Sequence, residues 1–528
     1  MTAIVSSNFR VVNAANFEND VKSSNVYVAI GKSDAWSNST SDITDTTPFT
    51  PNDHIDDLAE ARRNILGYKK ITSANVSHVI PRHNWENGSV YEAWDSNDGA
   101  IFDKKFYIVT SEFKVYKCII SPGTASNVMP VQTLTQPQSE GDGYTWKYMY
   151  TITTAQSEAF LTNAFMPVKT IPLSVTGKVA NSGGAGTSFI LSESNPDISV
   201  GHTVSGTGIS GTPKVTAILG SKITVSTSQT VTAGTVLTFK FADGSSGNTD
   251  ASNNLSEGDY AQYLNQKASF DDTKAAGIER FEVTNAGSGY TGTPTAAITG
   301  DGTGITSATI VKSGNTISAV NVTGTTKGTN YTIADVVISG GSGSNATARA
   351  VIAPKNGHGT DPVSELGGFF MALAVSLDGV ANSDLTVGND FRQVLLVKDP
   401  LLAAGAVATA DSLKGLKSLS VTSTTGFQVD EVITGGTSSA KAFIAEIGSG
   451  ASAGKIFYYQ NRKTGFGIFQ ASENITGGTS STTTAISSGG VNAAEADVSS
   501  GEALFLENRT PISRSATQIE DVKLILEF

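Results

Sequence analysis

Alternation of apolar and polar residues marks Lys222 to Ser226, Val236 to Phe241 and Val522 to Phe528 as half-buried strands. The continuous apolar run in DFRQVLLVKDP, Asp390 to Pro400, suits a strand buried on both faces. Val26 to Ile30 reads as another strand, and Lys105 to Ile120 as one or two strands around a turn near Ser111. Helical spacing is well marked only once. Ile55, Leu58, Ile65 and Leu66 fall on one face of a helix over Ile55 to Leu66, with Asn52 or Asp53 to cap its start and Gly67 to end it. Asp56, Asp57 and Glu60 lie early in that segment and Arg62 and Arg63 late, as the helix dipole favours. A shorter helix is predicted around Tyr260 to Lys267, inside a polar connector spanning residues 246–276.

The middle of the chain repeats itself. GSGYTGTPTAAITGDGTG around Tyr290 returns as KGTNYTIADVVISGGSG around Tyr331. EVITGGTSSAKA at Glu431 returns, after almost the same interval, as ENITGGTSSTTT at Glu473. Each copy reads strand, glycine turn, strand, so each pair predicts a small β-domain made by duplication. All four Trp (Trp36, Trp85, Trp94, Trp146) precede the first Gly-Thr-Ser-rich stretch, and non-repetitive text returns at 356–402 and 499–528. These returns predict one discontinuous scaffold, residues 1–172, 356–402 and 499–528. Into it are set a β-module at 173–245, a duplicated Gly-rich module at 277–355 and a second duplicated module at 403–498. Insertion at surface loops is tolerated because lengthening a loop adds little closure entropy.

Composition sharpens the picture. With 528 residues the chain exceeds one ordinary core, and charged residues make up only 16%. Ser, Thr, Asn and 54 Gly take their place, the vocabulary of short strands and tight turns. The fold class expected is mainly β and multidomain: a discontinuous β-sandwich scaffold with inserted small β-domains and few helices. A net charge of −12 argues against nucleic acid as a partner and against attraction to anionic lipid. The close basic pairs, Arg62–Arg63, Lys69–Lys70 and Lys104–Lys105, sit among acidic or apolar neighbours. Cys118 is the sole cysteine, which leaves no internal disulfide and no thiolate cluster. No stretch approaches the roughly 20 apolar residues of a membrane span, and the first residues lack a secretory pattern, so the expected setting is a cytoplasm or a particle assembled there.

The motifs offer little chemistry. Gly31-Lys32-Ser33 imitates the end of a phosphate-binding loop, but the Gly required five residues earlier is Val26, which leaves a turn after a strand. His54, His78, His83, His202 and His358 include no helical pair of the zinc-hydrolase type, and Pro81 separates His78 from His83. His358 in NGHGTDP has Asp361 nearby as a conceivable acid-base partner, yet no nucleophile accompanies it and a module junction accounts for it better. GDGTG at Gly300 and SEGDGY at Ser139 lack the alternating acids of a calcium loop and read as turns. No catalytic, cofactor-binding or metal-binding residue is assigned.

Six strings in order carry a resemblance: IVSSNFR at Ile4, VYVAIGKSDAW at Val26, VIPRHNW at Val79, EGDGYTWKYMY at Glu140, DFRQVLLVKDP at Asp390 and LFLENRTPI at Leu504, followed by the C-terminal strand. Together the chain resembles the baseplate wedge subunits of contractile-tailed, T-even-like bacteriophages, over roughly 1–172, 356–402 and 500–528. The repeats lie outside it. The resemblance implies a non-enzymatic, β-dominated virion subunit that forms a homodimer, joins neighbouring wedge proteins and passes on rearrangement when the tail contracts. It carries over Arg10, Trp36, Arg82, Trp85, Tyr144, Arg392, Asn508 and Arg509 as fold or interface residues. The competing reading is a receptor- or glycan-binding virion protein, with Tyr290, Tyr331, Tyr458 and Tyr459 of the inserted modules stacking on sugar rings.

Overall fold

A computed structural model describes residues 4–37, 43–181, 184–195, 197–241, 256–270, 277–322, 327–378, 385–515 and 517–528. Much of the expected 246–276 connector therefore lies outside the described residues. The architecture is mainly β and multidomain, as the composition predicts. Five α-helices are described: α1 Ser7–Ser23, α2 Ile55–Arg63, α3 Thr154–Phe160, α4 Glu257–Phe270 and α5 Pro362–Leu366. The chain divides into two compact units, residues 1–14, 77–371 and 526–528 in the first and 15–76 and 372–525 in the second.

The first unit is centred on a four-stranded antiparallel sheet of Tyr107–Val109, Lys114–Ile120, Thr145–Thr151 and Gln138–Ser139. Its central strands are covered on both faces. Tyr107, Val109, Val115 and Met149 pack with Ile80 and Leu366 on one side. Ile108, Tyr116, Trp146 and Tyr148 pack with Tyr91 and with Ala261 of α4 on the other. The 173–245 module is a sandwich of two three-stranded sheets around Phe189, Ile223, Leu237 and Phe239. Strands Lys222–Gln229 and Val236–Lys240 stand where the alternation places them.

The first duplication builds a six-stranded sheet whose strand order is palindromic: Ile278–Ser288, Ser344–Ile352, Ala334–Gly340, Pro294–Gly300, Ser307–Ser313, Thr316–Val322. The two copies meet at its centre, where Pro294–Gly300 pairs with Ala334–Gly340. Tyr290 lies over Gly343 and Tyr331 over Gly302, so each ring covers a glycine of the other copy. A β-carbon at 343 would stand 2.3 Å from Tyr290 Cγ, and one at 302 would stand 2.4 Å from Tyr331 Cγ. Only a glycine permits that approach.

In the second unit a five-stranded antiparallel sheet runs Ser412–Lys414, Ile65–Lys70, Val26–Gly31, Asp390–Lys398, Glu502–Ser513. Strands from the start, the middle and the end of the chain thus lie side by side. The second duplication closes a six-stranded barrel, Lys417–Val421, Lys455–Tyr459, Lys441–Ile447, Val432–Gly435, Asn474–Gly477, Thr483–Asn492. Glu431 accepts from Thr479 N, Ser480 N and Ser480 Oγ at 3.1, 2.9 and 2.9 Å. Glu473 accepts the equivalent three bonds from Thr437 N, Ser438 N and Ser438 Oγ at 2.9, 2.8 and 2.7 Å. Each carboxylate caps the Gly-Gly-Thr-Ser turn of the other copy. Burial pushes both carboxyls up, but these donors outweigh it and hold them below the usual range.

Two local expectations need correction. Helix α2 stops at Arg63, because Ile65 and Leu66 join a strand whose ladder to Val26–Gly31 outweighs one further helical turn. Asn64 rather than Gly67 is its C-cap, the His54 ring rather than Asn52 or Asp53 accepts at its start, and Ile55 is 85% exposed instead of facing the core. Helix α1 was not anticipated, although its buried positions Val11, Ala14, Phe17 and Val21 have helical spacing. The opposite face carries exposed Phe9 and Val12, with exposed Val5 just before the helix, which hides the amphipathic pattern.

Candidate functional site

The eight residues singled out in the sequence fall into several groups. In the first unit Arg10 stacks on the Phe369 ring at 3.5 Å and donates to the Phe528 carbonyl. Arg82 donates to Thr162 O at 3.0 Å and Asn84 Oδ1 at 2.9 Å, tying down the turn after Val76–Pro81. Trp85 Nε1 donates to Ser126 Oγ at 3.2 Å. The Tyr144 hydroxyl donates to Thr124 O at 2.6 Å and accepts from Tyr91 N.

The other four converge in the second unit, and the convergence starts from a glycine. Gly31 ends its strand at a bulge and pairs laterally with Gln393, which pairs in turn with Asn508. At Gly31 a β-carbon would stand 2.7 Å from Asn64 O, so the absent side chain makes room for the C-cap of α2. Lys32 N donates to that same oxygen at 3.1 Å. The Gly-Lys-Ser string is thus a strand-ending turn, and the Lys32 ammonium is taken up by Asp34 at 2.6 Å. Burial lowers the Lys32 pKa; burial pushes Asp34 up, but Lys32 and Lys463 pull it below the usual carboxylate range.

Along this row runs a chain of amides. Phe49 O can only accept, so Asn508 presents Nδ2 to it at 3.0 Å. Asn508 Oδ1 then accepts from Gln393 Nε2 at 2.9 Å, and Gln393 Oε1 from Asn64 Nδ2 at 3.4 Å. Polarity is forced from one end to the other. Asn64 Oδ1 is left as the open terminus, buried and without a donor among the described residues.

Arg392 and Trp36 shape the cavity beside it. Arg392 grips Asp45 through two bonds at 2.8 and 2.9 Å and also meets Asp390 at 2.9 Å. Burial works against its charge, but these carboxylates raise its pKa. Asp45 in turn accepts from Trp36 N at 2.9 Å, and Trp36 Nε1 donates to Arg509 O at 2.9 Å. Arg509 itself is bidentate to Glu507. So held, Trp36 meets Phe49 edge to face at 5.3 Å. The result is a cleft of about 150 Å³ lined by Trp36, Ile43, Phe49, Pro51 and Leu506, with Asn64, Gln393 and Asn508 at its base and Lys32, Lys463, Asp57 and Glu60 also on its wall. The sequence singled out Trp36 and Asn508 but missed Asn64 and Gln393. Their only signal was two ordinary amides 329 residues apart.

His358 does not pair with Asp361, which caps α5 by accepting from Ser364 N. Its ring lies buried 3.5 Å from Glu279 and 3.9 Å from Glu365, against Trp94. Lys117, wholly buried, bonds Glu365 at 2.8 Å and sits over Trp94, and Lys327 pairs with Glu279. Burial, and then the Lys117 charge, lower the His358 pKa to about 4. This is a structural charge cluster joining the first duplicated module to the four-stranded sheet, with no Ser or Cys nucleophile among these residues. Tyr290, Tyr331, Tyr458 and Tyr459 are all buried, so none is available to stack on a sugar.

Fold and sites thus define a mainly β, multidomain protein whose clustered polar residues brace strands, turns and modules against one another. Residues 3–139 match the family model described as Gp8 of bacteriophage T4. The baseplate wedge protein gp8 of Enterobacteria phage T4 is 23% identical over 202 residues, 31% of this chain and 60% of that relative. The chain therefore spans less than two thirds of the curated relative it matches. The resemblance to T4-like baseplate wedge subunits read from the six strings is borne out, and the family match ends before the first Gly-Thr-Ser module.

Proposed function

We propose that this chain is a structural subunit of the baseplate wedge of a contractile phage tail, without catalytic activity of its own. Similarity to a baseplate wedge protein is the observation that carries this reading. In the proposed role it forms a homodimer, links neighbouring wedge proteins and transmits rearrangement on contraction. It resides in the virion baseplate after assembly in the host cytoplasm. The Gly-Thr-Ser modules are insertions carried on a scaffold of residues 1–172, 356–402 and 499–528. Braced turns and charge-locked junctions suit a part that bears load, since preformed interfaces change little on assembly. Light scattering on the purified chain tests the dimer: a mass of twice 54.7 kDa at micromolar concentration is expected. A monomer there, together with absence of the chain from the baseplate density of intact tails, would overturn the proposal.

A further inference from the structure

We infer that the cleft beside Trp36 receives a tyrosine side chain presented by a neighbouring protein chain. This goes beyond the structural role proposed above and does not depend on it. Size comes first: a cavity of about 150 Å³ accommodates one benzene-sized group. The walls suit an aromatic ring, since Trp36 and Phe49 already stand edge to face and Ile43, Pro51 and Leu506 complete an apolar rim.

The base of the cleft decides what the ring must bear. Asn64 is 1% exposed, and its Oδ1 lacks a donor among the described residues because the carbonyl of Phe49 fixes the direction of every amide in the row. A buried acceptor left open costs free energy until something donates to it, and the aligned amides polarise it further. The occupant therefore carries a donor at its tip. Charge selects a neutral one. Lys32 and Lys463 are both answered by Asp34, at 2.6 and 2.8 Å, and Glu60 by Arg462 at 3.0 Å. Asp57 accepts from Asn52 N at 3.1 Å. With these wall charges answered, nothing among the described residues calls for an ammonium or a carboxylate, whereas a phenol supplies ring and O–H together. Tyrosine is also among the residues that anchor protein interfaces.

The test uses the full-length protein and side-chain surrogates followed by ligand-detected NMR titration: p-cresol for tyrosine, toluene for the ring alone, n-butylammonium for lysine. Saturable binding of p-cresol is expected, about fivefold tighter than toluene, the factor one net hydrogen bond supplies. Asn64→Ala is expected to bring the two to equal affinity. Should that variant fail to fold, the comparison of probes on the unaltered chain decides alone. No saturable p-cresol binding, equal affinity for toluene, or preference for n-butylammonium would each overturn the inference.

Discussion

The two duplicated modules have nearly the same period and different ends. The first spreads into a palindromic sheet of six strands, and the second closes into a barrel of six. Both put the junction between copies at the centre of the strand order. They differ in what each copy lends the other. In the sheet a tyrosine ring covers the partner copy's glycine, a contact of shape. In the barrel a glutamate accepts three bonds from the partner copy's turn, a contact of charge and direction. Duplication therefore sets the strand count and the symmetry, while the reciprocal lock residue decides how the copies are held.

The largest expected effect comes from filling a glycine. Gly343→Ala drives a β-carbon into the Tyr290 ring, and overpacking of this kind costs about 1–3 kcal/mol. The 277–355 module is expected near the upper end, because the ring that must give way is itself buried. Amide hydrogen exchange confined to residues 277–355 checks it. Equal loss of protection in the barrel would break the distinction between the modules. Glu473→Gln comes next. It keeps shape but removes the charge from the bonds that hold Gly-Gly-Thr-Ser, for about 1.5–2 kcal/mol, and Glu431→Gln is expected to match it. Thermal melts of both variants read this, and unequal losses would deny the symmetry.

Acid sharpens the contrast with the smallest effect, at most about 1.4 kcal/mol per pH unit for each proton linked to folding. Burial and Lys117 lower the folded pKa of His358 from 6.5 to about 4. Its contribution is complete above the unfolded pKa and declines as pH falls from about 6.5 towards 4. Glu279, Glu365, Lys117 and Lys327 are the charged groups of this cluster. The barrel glutamates, also lowered, hold their contribution down to the ordinary carboxylate range and lose it only below. Residues 277–355 should therefore lose exchange protection at a higher pH than residues 417–492. His358→Gln should remove the upper part of that profile.

Periodicity and composition were enough to read strands, turns, both repeats and the mainly β class, because a half-buried strand writes its burial into every second residue. The order of six short strings carried the family. Helix α1 and the true end of α2 were less legible: the exposed Phe9 and Val12 blur one pattern, and pairing with Val26–Gly31 claims Ile65 and Leu66 from the other.

What the chain's own text determined is local: where it turns, where it alternates, and which segment copies which. Tertiary structure alone decided that Gly31, Asn64, Gln393 and Asn508 form one row. The burial and hydrogen-bond direction of an amide depend on neighbours far away along the chain, and no local pattern records them. The same holds for His358, whose partners proved to be Glu279 and Glu365 rather than the nearby Asp361.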